Sequence, residues 1–177
     1  MEQELSFARK INFEPLLISI FFGIVVAAII YSMVPQLPLI WIVCGILAFA
    51  IDSMLIYPVC LSDSYGYWKL DDQGIYYYDY SDWKKKIQAI FLPFAKKPIE
   101  VPYSAIRDFS IIEGKSILNS QYPLGGPLKV PLSRKIHYLV IQTDHSQIKL
   151  NCAWKSTGIP TTDDDIKRLV EIIKSKV

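Results

Sequence analysis

Apolar positions follow one pattern up to Leu61 and another after it. From Leu16 to Val34 no residue is charged, and from Leu37 to Leu61 Asp52 is the single exception. About 20 apolar residues rising ~1.5 Å each cover the ~30 Å of a bilayer's hydrocarbon, and a helix satisfies its own backbone polar groups, as lipid demands. The first run, Leu16-Leu-Ile-Ser-Ile-Phe-Phe-Gly through Val34, has that length, and so does Leu39 to Tyr57. Pro35-Gln-Leu-Pro38 lies between them. Two prolines so close end one helix and open the next, so the pair predicts a tight hairpin. A cleaved signal peptide has a shorter apolar core, ~7–15 residues, and no second span directly behind it. The sequence therefore divides into an N-terminal segment (1–14), a two-helix transmembrane hairpin (15–61) and a soluble domain (62–177).

Past Leu61 the pattern becomes that of short strands. Tyr67-Trp-Lys-Leu70 and Ile75-Tyr-Tyr-Tyr-Asp-Tyr80 flank the turn Asp71-Asp-Gln-Gly74 and predict a hairpin of aromatic strand formers. Pro98 to Tyr103 predicts an edge strand, Ser104 to Arg107 a turn, and Asp108 to Glu113 a strand stopped by Gly114. Ile136–Gln142 and Gln147–Cys152 flank the polar turn Thr143-Asp-His-Ser146. Near the end the period changes again. Ile166, Leu169, Val170 and Ile173 recur at i, i+3, i+4 and i+7 after a capping threonine and three aspartates, which predicts an amphipathic helix. Antiparallel strands followed by one such helix predict a strongly bent sheet or partly open barrel, capped by the helix.

Trp68-Lys-Leu, Gly74-Ile-Tyr-Tyr-Tyr and Ile99-Glu-Val-Pro-Tyr-Ser-Ala-Ile-Arg-Asp-Phe, followed by a hairpin and a closing helix, resemble the bacterial pleckstrin-homology-like (PH-like) domains. The resemblance covers residues 62–177, and the preceding helix pair adds to it. It implies a seven-stranded, helix-capped barrel used for binding or scaffolding, and it fixes no ligand.

Charge adds an orientation. Of 19 Lys and Arg, Arg9 and Lys10 alone precede Ser62, and the turn at 35–38 has none. Basic residues stay cytoplasmic, so both termini are expected there, in a multi-pass protein of the cell membrane. The net charge of +2 is too small to argue for nucleic acid. Asp52 lies about five residues, ~7–8 Å, from the expected cytoplasmic end of its span. Two helices cannot enclose an ion path, so it reads as a group near the headgroups or an acceptor for Ser or Tyr hydroxyls. Gly23 and Ala27 suit close helix packing. Cys44, Cys60 and Cys152 form no CxxC and read as small buried hydrophobes.

The most pointed segment is 82–97. Lys84, Lys85 and Lys86 on one side and Lys96 and Lys97 on the other bracket an apolar stretch with Phe91 and Phe94, and Trp83 stands at its entrance. Two readings compete. The segment lays its apolar part into the interface while lysines meet anionic lipid headgroups, or it is a strand-loop-strand packed in the barrel. A protein partner is a third use. The stretch 115–135 is basic, proline-rich and predicted to be an irregular loop. No GxxxxGK[ST], HExxH or GxSxG occurs, and no cofactor, metal or catalytic residue is expected. The function expected is a non-enzymatic binding or scaffolding module at the cytoplasmic membrane face, with the lipid bilayer as partner. An accessory or immunity-type subunit contacting a membrane protein through its helices is the alternative, and a membrane-bound enzyme the third. Oligomeric state is left open.

Overall fold

The computed structural model describes residues 5–95, 97–118, 133–144 and 146–177. The chain forms two compact units, and neither is contiguous in sequence. A helical unit takes Ile11–Ser62 and Tyr80–Lys97; a sheet unit takes Met1–Lys10, Asp63–Asp79 and Pro98–Val177.

In the helical unit α1 runs Glu14–Met33, with Pro15 in its first turn and the Asn12 side chain accepting from the Glu14 amide at 2.9 Å. The second helix is α2, Pro38–Ile51, continued by a π-helical segment, Asp52–Ile56, and by α3, Tyr57–Ser64. Pro58 explains the widened turn. It has no N–H for the carbonyl four residues back, and its ring crowds that carbonyl. The helix relaxes one turn earlier, where the Tyr57 amide reaches the Asp52 carbonyl.

Small residues hold the two helices together. A Cβ on Gly23 would lie 2.8 Å from the Gly45 carbonyl oxygen, and one on Gly45 would lie 2.9 Å from the Ala27 Cβ, so the backbones nearly touch. Ser19 and Ser53 are fully buried. The Ser19 hydroxyl lies 2.7 Å from an Asp52 carboxylate oxygen, a bond across the pair, and 2.9 Å from the Pro15 carbonyl. Asp52 is thus the acceptor expected of it. The outward faces are apolar: Phe21, Met33 and Leu39 are 68%, 72% and 73% exposed. Two helices, Glu14–Met33 and Pro38–Val59, are long and apolar enough to cross a membrane, and only 11% and 17% of their apolar windows are buried. A core helix of a water-soluble fold would bury most of that surface.

The sheet unit has seven strands among the described residues. β1 (Ser6–Phe7), β2 (Trp68–Leu70), β3 (Gly74–Tyr77) and β4 (Ile99–Pro102) form one antiparallel sheet in that order; β5 (Ile106–Leu118), β6 (Ser133–Thr143) and β7 (Gln147–Asn151) form the other. No ladder joins the two among these residues, so the sheets are open and not a closed barrel. One core serves both. Phe7 stacks on Trp68 at 4.4 Å, and Leu70, Ile75, Val101, Leu139, Ile141 and Leu150 join them. The Trp68 indole N–H donates to the Asn151 carbonyl at 2.8 Å, tying one sheet to the other. The C-terminal helix, α5 (Asp163–Lys176), buries Leu169 and Ile173 completely in this core, so its apolar stripe covers the strands as its period predicts. Cys152 is buried here, and burial pushes its thiol up to about 12.

Three expectations change. Strand β1 comes from the segment ahead of the hairpin, and its pairing Phe7↔Trp68 makes the hairpin an insertion between neighbouring strands of one sheet. Gly114 does not stop β5. A bulge between Glu113 and Ser116 carries the strand past it, and the missing Cβ gives room to the Tyr138 ring, which would otherwise lie 2.3 Å away. The expected irregular loop at 115–135 is strand at both ends, with Ser116, Ile117 and Leu118 paired to Lys135, Arg134 and Ser133; residues 119–132 lie outside those described.

Candidate functional site

The segment 82–97 is neither strand nor loop at its centre. Asp82 is extended, and helix α4 follows from Trp83 to Phe91. Lysine, glutamine, alanine and isoleucine favour or tolerate a helix, and no β-branched run opposes it. Trp83, Ile87, Ile90 and Phe91 fall at i, i+4, i+7 and i+8, one apolar stripe. Pro93 follows the last turn, where the Leu92 amide still reaches the Gln88 carbonyl at 2.8 Å.

Two edge-to-face ring pairs join this segment to the membrane-type helices of its own unit. Phe91 meets Phe49 of α2 at 6.2 Å, and Phe94 meets Phe13, one residue before α1, at 5.2 Å. Such pairs contribute ~0.5–1.5 kcal/mol each beyond the area they bury. Ala89 and Ile90 are fully buried, and Pro93 is buried too. The strand-loop-strand alternative is therefore not what forms: the phenylalanines pack with the hairpin's helices.

The stripe is covered only in part. Ile90 is enclosed and Ile87 and Phe91 are half-buried, while Trp83, Leu92 and Phe94 are 42%, 56% and 77% exposed. Around it stand the cations. Lys84 and Lys97 are exposed; Lys85 and Lys86 are partly covered. The Lys85 ammonium donates to the Ser81 hydroxyl at 3.4 Å. Among the described residues Lys84, Lys86 and Lys97 have no carboxylate partner. Lys96 lies outside the described residues. The structure thus gathers Trp83, Lys84, Lys85, Lys86, Phe91 and Phe94 on one short amphipathic helix and the turn after it.

Sequence reasoning missed the partners. Phe13 and Phe49 gave no signal, because a contact between distant rings leaves no local pattern. The stripe 83, 87, 90, 91 was the readable clue to a helix. Elsewhere His137 pairs across from Glu113 in β6, and His145 lies outside the described residues. Among the described residues no three His, Cys, Asp or Glu converge to hold a metal ion. Compared with known proteins, the chain matches no family model, no curated protein and no solved structure.

Proposed function

We propose that this protein is a membrane-anchored binding or scaffolding module, non-enzymatic, whose sheet unit is a PH-like domain held at the cytoplasmic membrane face. The observation that carries the reading is the helix pair: apolar outside, small and polar inside, and inserted into a sheet rather than appended to one. That distribution is the inverse of a water-soluble helix pair and suits lipid as the solvent. The seven strands among the described residues, in sheets of four and three, with a closing helix plugging their shared core, support the PH-like part. Both ends of the hairpin join neighbouring strands of one sheet, so the sheet unit lies on a single side of the bilayer. The basic residues Arg9, Lys10 and those of the C-terminal part support the cytoplasm as that side.

A shortened chain tests whether anchor and module are separable. Replacing 11–62 and 80–97 by short Gly-Ser turns joins β1 to β2 and β3 to β4 directly. The full chain is expected to stay in the membrane pellet after alkaline carbonate washing. The shortened chain is expected in the supernatant, folded and unfolding in one cooperative urea transition. A full chain released by carbonate contradicts the anchor. A shortened chain that remains in the pellet, or has no cooperative transition, contradicts the autonomous module.

A further inference from the structure

We infer that α4 is a third membrane element, a helix lying in the plane of the bilayer surface that binds anionic phospholipid headgroups through Lys84, Lys86 and Lys97. This rests on the reading that α1 and α2 cross the membrane, and it names the ligand class and the element that meets it. Three observations carry it. Helix α4 packs with the spanning-type helices, through Phe91 on Phe49 and Phe94 on Phe13. Phe13 immediately precedes α1, so this contact sits where the first span begins, at headgroup level. Phe13, Trp83, Leu92 and Phe94 are left exposed in the same unit as the exposed apolar faces of the hairpin.

Charge selects the lipid. Trp83 at the head of the stripe suits the amphipathic boundary between acyl chains and headgroups. Lys84 and Lys86 lie about 100° and 300° around the helix from Trp83, by 3.6 residues per turn, so they flank the stripe, while Lys85, at about 200°, lies on the opposite face. That is the layout of an interfacial helix: apolar side in the acyl boundary, ammonium groups among the phosphates, stems of partly covered lysines along the greasy surface. Lys84, Lys86 and Lys97 have no carboxylate among the described residues to neutralise them. A zwitterionic surface offers no net compensation, whereas an anionic one does.

Hydrogen exchange read by mass spectrometry on the full chain in lipid nanodiscs tests this. Two disc compositions are compared: phosphatidylcholine alone, and phosphatidylcholine with a third phosphatidylglycerol. The expected result is exchange about tenfold slower across residues 83–94 in the anionic discs, since each lysine near an anionic surface adds about fivefold to binding. The slowing is lost in high salt, which screens exposed charges. It is also lost in the Lys84→Gln/Lys86→Gln/Lys97→Gln variant in the same anionic discs, which controls for surface pH. Peptides over 136–151 keep their exchange in every arm and report that the variant is folded. If the spans are protected in both discs while 83–94 exchanges equally in both, α4 does not bind anionic lipid, although the anchor stands. Equal slowing in the glutamine variant also overturns the inference, and so does protection that appears only with an added protein. If the spans exchange freely in both discs, the anchor itself fails, and the inference with it.

Discussion

Single side chains decide where the last helix begins. Thr162 accepts from the Asp165 amide, and the Asp165 carboxylate accepts from the Thr162 amide at 2.9 Å and its hydroxyl at 2.7 Å, a reciprocal capping box. Lys155 adds an ion pair to the same carboxylate at 2.8 Å. Burial pushes the Asp165 carboxyl up, but the bonds from Lys155 and Thr162 outweigh it and hold it below the usual range. A carboxyl depressed in the folded state contributes its full stabilisation above the unfolded value, about pH 4, and loses it as pH falls through the folded value. Asp165→Asn is therefore expected to cost about 1 kcal/mol at pH 7, the size of a lost cap. The cost is expected to shrink as the pH drops below 4. Urea midpoints of the shortened sheet unit at pH 7 and pH 3 check this, and an equal cost at both contradicts it. This cap was legible, because threonine before three aspartates is a local signal. The strain at Ala8, whose φ of 53° is left-handed, was not, because nothing in Phe7-Ala8-Arg9 marks a turn.

Elements were legible in proportion to their length. The two apolar runs, the aromatic strands and α5 each repeat their pattern over enough residues to be read. Strand β1 is two residues long and has no period to show. Helix α4 is nine residues, and its stripe competes with the strand-like run Ile-Phe-Leu at 90–92; the burial of Ile90 and the Phe91 ring on Phe49 favour the helix. Strand β5 runs through a glycine because a bulge and the Tyr138 ring need the space, which a local stop rule cannot foresee. The small-residue spacing at Gly23 and Ala27 did read correctly, although their partner Gly45 did not show itself. Gly45→Leu is expected to force the helices apart, since a Cβ there already meets Ala27 and the Gly23 carbonyl. Overpacking of this kind costs about 1–3 kcal/mol. Unfolding of the full chain in mild detergent by added SDS, followed by the far-ultraviolet helix signal, is expected to come at a lower midpoint. Leucine at the neighbouring exposed Ile46 is expected to leave the midpoint unchanged. Equal effects at both positions contradict the packed seam.

At the scale of the whole molecule, the chain leaves its four-stranded sheet twice and returns twice. The first excursion, between β1 and β2, is the hairpin; the second, between β3 and β4, is α4. In an antiparallel meander those two connections leave from the same end of the sheet. Both excursions carry apolar surface, and both belong to the helical unit. A linear division into segment, anchor and domain does not express this, because a sheet partner 61 positions away in the chain, Phe7 to Trp68, is invisible to any local pattern. The proposed function requires that α1 and α2 form a membrane hairpin with both ends on the cytoplasmic side. Cysteine labelling in intact cells tests it most directly, in a background with Cys44, Cys60 and Cys152 replaced by alanine. With a membrane-impermeant maleimide, a cysteine at Gln36 in the turn is expected to react in intact cells. Cysteines at Asn12 and Ser175 are expected to react only after the cells are opened. Labelling of Ser175→Cys in intact cells, or of Gln36→Cys only after lysis, contradicts the account.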